Sequence, residues 1–130
     1  MFELTIRNQV YQFNFGMGFL REINKLYGTP VDGIPDAKKN VGLRFILAGL
    51  FDGDLEDLTK ILLVANKAQS PRLTEKELDY YIDSECEDVE ALFTEVIDFL
   101  KNVNATKKTM VELQKMADEE TAKREKAAQK

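Results

Sequence analysis

The sequence predicts a mainly α-helical fold that opens with an N-terminal β-hairpin. Residues 2–15 alternate apolar and polar at period two, the signature of half-buried strands. The later stretches repeat apolar residues at three- and four-residue steps, the signature of amphipathic helices. Capping residues stand just ahead of several of those stretches. The expected architecture is a hairpin, a bundle of about five helices, and a charged C-terminal helix or tail, α+β by strict count. Residues 1–104 make the expected globular domain and 105–130 a charged helical extension or flexible tail.

In the hairpin, Phe2, Leu4 and Ile6 share one face, and Tyr11, Phe13 and Phe15 resume it after a polar break at Asn8-Gln9. Asn-Gln is a weak turn pair, so the register stays open. Two strands are marginal in water, so their apolar face belongs on the helices or on another subunit. Gly16 and Gly18 mark the exit. A helix then runs to about Tyr27, with Phe19, Leu20, Ile23, Leu26 and Tyr27 on one side and Gly28 placed to end it. TPVDGIP, 29–35, reads as a loop.

Asp36 is a cap for a helix from about Ala37 to Phe51, whose apolar residues circle the wheel and predict the most buried helix of the chain. Gly42 and Gly49 within it each cost about 1 kcal/mol against alanine unless close packing offsets the loss. Asp52-Gly53 breaks the chain, and Asp54 caps a helix carrying Leu55, Leu58, Ile61, Leu62 and Val64. After Gln69-Ser70-Pro71, Thr74 and Glu77 have capping-box spacing ahead of Leu78, Tyr81 and Ile82. Ser84 and Glu87 repeat that spacing before VEALFTEVIDFLKNV, 89–103, which reads as the central helix. Its inner side would hold Phe93, Ile97 and Leu100. Met110, Val111, Leu113 and Met116 form a last thin stripe, and no large apolar residue follows.

Composition excludes more chemistry than it suggests. The chain has 130 residues, 18 basic against 23 acidic, and no histidine. Without histidine there is no Ser-His or Cys-His nucleophile pair. One cysteine, Cys86, excludes an intrachain disulfide and a Cys zinc site, and suits a reducing compartment. The net charge of −5 opposes general nucleic-acid binding. No signal-peptide pattern opens the chain and no apolar run is long enough to span a membrane, so a cytoplasmic location is expected. Around Asp52 an EF-hand loop would need glycine at Asp57 and glutamate at Leu63, so helix capping is the better account. The acidic run 83–90 suits a helix start. Gly16 and Gly18 fit neither phosphate-loop pattern, Cys86 lies among acids that oppose a thiolate, and Tyr11, Phe13, Phe15 and Phe19 lack interleaved basic residues for base stacking. No catalytic, cofactor or metal residues are expected.

The stretch ELTIRNQVYQFNFGMGFLREINKLYG resembles the opening of the tail assembly chaperones of long, non-contractile-tailed phages, or prophages, of Gram-positive bacteria. Phe13, Phe15-Gly16, Leu20, Glu22 and Ile23 carry the likeness, and LTEKELDYYIDS at 73–84 adds to it. The resemblance implies a non-enzymatic, self-associating protein that coats the tape-measure protein during tail assembly. It further implies action in the host cytoplasm, displacement by major tail protein, absence from the finished virion, and a longer frameshifted form. The alternatives are a small acidic adaptor or regulatory protein with one protein partner, and a carboxylate enzyme using magnesium. Tyr11 and Phe13 on the hairpin, with Met110, Leu113 and Met116 on the last stripe, are the candidate partner-contact residues. Cofactors are not expected, nor are nucleic-acid or membrane partners.

Overall fold

A computed structural model describes residues 1–27 and 41–128. The Gly28 stop, the 29–35 loop, the Asp36 cap and the start of the next helix at Ala37 lie outside the described residues. Strands β1 (Phe2–Ile6) and β2 (Gln9–Phe13) pair antiparallel, Phe2 opposite Phe13 and Ile6 opposite Gln9. The turn is Arg7-Asn8, one residue earlier than the expected break, with φ of 51° and 68°. Two left-handed residues give the mirror-image turn whose twist matches the flanking strands. Asparagine tolerates that conformation; arginine pays about 1–2 kcal/mol for it. Contacts to the next layer offset this. The Arg7 backbone N–H donates to Glu85 Oε1 at 2.8 Å, its Nε pairs with Glu77 at 3.2 Å, and its guanidinium lies 3.6 Å from the Tyr80 ring centre.

The helices are α1 (Met17–Tyr27), α2 (Val41–Phe51), α3 (Leu55–Asn66), α4 (Glu75–Tyr80), α5 (Val89–Lys101) and α6 (Lys107–Ala128). A π-helical segment, Tyr81–Glu85, continues α4. Asp54 and Thr74 cap α3 and α4 as expected, accepting from Asp57 N–H at 3.1 Å and Glu77 N–H at 3.2 Å. The cap of α5 is Asp88, accepting from Ala91 N–H, and not Ser84, which the π-helical turn absorbs.

The hairpin's apolar face lies on the helices. Phe2, Phe13, Phe15, Phe19 and Phe99 form a cluster of mostly edge-to-face rings, 5.2–6.0 Å between centres. Asn66, fully buried at the end of α3, donates to Gln12 and Pro71 carbonyls at 3.0 and 3.2 Å and accepts from Leu73 N–H at 2.5 Å. Asn14 N–H reaches Ala65 carbonyl at 2.9 Å, seating β2 on α3.

Helix α2 packs on α1, α3 and α6, and α3 packs on α1, α2, α4 and β2. The stretch 89–103, expected at the centre, packs on α6 and the hairpin's rings instead. Within it Phe93 and Leu100 are buried and Ile97 is half-buried. Burial of α2 is one-sided: Leu43, Ile46, Leu47 and Leu50 are buried, but Phe45 is 68% exposed. Leu26 of α1 is likewise exposed. Where α5 ends, the buried Thr106 hydroxyl donates to Leu100 carbonyl at 2.7 Å and turns the chain into α6.

Gly49 is where α2 meets the first turn of α3. A Cβ there would stand 1.9 Å from Asp57 Oδ2 and 2.9 Å from Asp57 Cβ. The whole short side chain must move, so Gly49→Ala is expected to cost about 1–3 kcal/mol. Urea unfolding checks it; an unchanged midpoint would show that Asp57 swings clear at no cost.

Candidate partner-binding surface

Three ionisable groups are tied to the packing of the fold. Burial beside α2, then the charge of Asp54, raises the Asp57 carboxyl above its ordinary value. A hydrogen bond from Lys67 holds the Glu22 carboxyl below its own, linking α1 to the end of α3. Burial and the adjoining Cys86 push the Tyr81 phenol up to about 12. Among the described residues no three His, Cys, Asp or Glu groups could hold a metal ion. Nor is any described helix long and apolar enough to cross a membrane.

Surface chemistry concentrates along α6. At 22 residues this helix is about 33 Å long. Its first half is anchored by buried Thr109, Met110 and Leu113, while residues 118–128 are exposed throughout. Arg44 of α2 pairs with Glu112 of α6. Further on, Phe51 and Asp52 share a cleft with Met116 and Glu120, so the two helices run in the same direction. That cleft, about 250 Å³, has Ala48, Phe51, Leu113 and Ala117 in its walls and the carboxylates of Asp52 and Glu120 on its rim. Met116, 58% exposed, forms its outer lip. Phe45 and Val41, earlier on α2, are exposed as well. A larger cleft of about 540 Å³ opens on the other flank of α6, between Lys101 of α5 and Val111, Lys115 and Ala122. Val111 is 63% exposed at its edge. Apolar walls with charged rims suit an amphipathic helix laid into a groove.

The five residues singled out from sequence divide unequally. Phe13 and Met110 are fully buried, and Tyr11 and Leu113 nearly so, all within the chain's own core. Met116 alone remains at the surface, joined there by Phe45 and Val111. Val111 belonged to the recognised stripe. Phe45 carried a readable signal, a helix apolar on every side, which sequence reasoning resolved as burial all round.

Residues 3–115 match the model of a family described as "Phage tail assembly chaperone protein, TAC". No curated protein and no solved structure matches the chain.

The two methionines of α6 make the division between core and surface measurable. Met110→Ala is expected to cost about 2–5 kcal/mol and Met116→Ala less than about 0.5. Denaturant unfolding of both variants checks this; equal losses would mean that Met116 is packed in solution.

Proposed function

The chain belongs to the phage tail assembly chaperone family, a non-enzymatic group, and from that premise we propose that it self-associates and coats the tape-measure protein while the tail is built. The observation that carries this reading is the apolar cleft between α2 and α6, walled by Phe51 and Leu113 and edged by exposed Met116, with Phe45 also exposed on α2. A tape-measure protein is long and helical, and its apolar stripes need cover before the tail tube encloses them. A groove between parallel helices offers that cover without any chemical step. Asp52 and Glu120 at one end favour a basic residue on the bound helix. The client would then pass from chaperone to major tail protein in the host cytoplasm. The proposal extends to a long, non-contractile tail, a Gram-positive host and a longer frameshifted form whose extra sequence follows α6.

Co-expression with the tape-measure protein of the same phage tests the reading. Soluble tape measure that co-purifies with the chain is expected, and Phe45→Asp with Met116→Asp should weaken capture about tenfold or more. Tape measure that stays insoluble and unbound beside the folded chain would overturn it, in favour of an adaptor with another partner.

A further inference from the structure

The two edges of the hairpin are treated differently. On β2, Asn66 takes the Gln12 carbonyl and Ala65 takes the Asn14 N–H, so α3 covers the Gln12–Asn14 end of that edge. On β1, no backbone bond from another described element reaches Glu3 or Thr5. The register decides which groups are left over. Ile6–Gln9 closes a two-residue turn and is a hydrogen-bonded pair, as are Leu4–Tyr11 and Phe2–Phe13 by alternation. Glu3 and Thr5 therefore direct their N–H and C=O groups away from β2, and both side chains are exposed.

An open edge is usually blunted by lysine, proline or a bulge. Strand β1, FELTI, has none of these. Its one charge is Glu3, and its sequence is complementary to itself about Leu4. In an antiparallel pairing of two β1 strands centred there, Glu3 faces Thr5 of the second copy, Leu4 faces Leu4, and Phe2 faces Ile6. No like charges stand opposite each other. The outward-pointing residues 3 and 5 also fall on the hydrogen-bonded positions that such a pairing requires.

We infer that β1 is the self-association edge, where two copies join antiparallel about Leu4 into one four-stranded sheet. This deepens the proposed self-association by naming its surface, and rests on that reading. A two-fold contact of this kind closes on itself, so it makes a dimer and leaves both α2–α6 clefts open. Higher assembly would use other surfaces.

Light scattering after size exclusion, with sedimentation across a concentration range, tests it. Thr5→Glu sets glutamate opposite Glu3 twice per dimer and is expected to raise the dimer Kd about tenfold. Adding Glu3→Lys restores opposite charges, so the double variant should dimerise again. In the wild type, Glu3 and Thr5 amides should gain hydrogen-exchange protection as concentration rises. This arm holds even where Thr5→Glu disturbs folding. Thr5→Glu assembling like wild type, a double variant left monomeric, or protection independent of concentration would each overturn the β1 edge while self-association stands. A wild-type chain monomeric at every concentration would remove self-association itself.

Discussion

The Asn66 side chain is the contact on which the arrangement of elements depends. It sits at the last turn of α3, out of water, and ties the second strand, 54 residues away, to the nearby bend at Pro71 and the entry to α4. An amide has the donors and acceptor for this; an apolar residue of equal size would strand two carbonyls and an N–H in the core. Each stranded group costs about 1–3 kcal/mol. With this clamp in place β2 lies on α3, the aromatic rings meet beneath it, and the hairpin tip reaches Glu77, Tyr80 and Glu85. The left-handed Arg7 is then tolerable because its guanidinium and N–H are both engaged.

Local chemistry was the legible part. Period-two alternation identified the strands, and side-chain caps at Asp54 and Thr74 identified two helix starts, because each signal is written within a few residues. Signals decided by distant residues were misplaced. The turn moved to Arg7-Asn8 since the partners that hold Arg7 lie some seventy residues further on, the N–H contact spanning 78. Ser84 and Asp88 both had cap-like surroundings. The π-helical extension of α4, which no spacing rule announces, consumed the first and left the second.

The surface was less legible than the core. An apolar residue on a helical stripe looks the same whether it fills a core or meets a partner. Met110 and Met116 differ by six positions, yet one is sealed and the other bare. Six positions are about 600° of helical turn, so the two side chains leave α6 on different faces, Met110 into the core and Met116 at the lip of the α2–α6 cleft. Phe45 was concealed by the opposite error, since a uniformly apolar helix was read as a uniformly covered one. The family resemblance succeeded where these readings did not, because it drew on a pattern of residues across the first strands and helix together, and the family match spans 3–115.

The free half of α6 behaves differently from the rest of the molecule. From residue 118 onward every residue of the helix is exposed, and so is the Glu120–Arg124 pair. A segment of that length is held mainly by bonds within itself, which in water leaves helix and coil nearly balanced. Its order is therefore set by its surroundings. Whatever lies along it pays the entropy of straightening it and is rewarded with contact, so binding there is readily reversed. For the client proposed above, such a handle would make release easy.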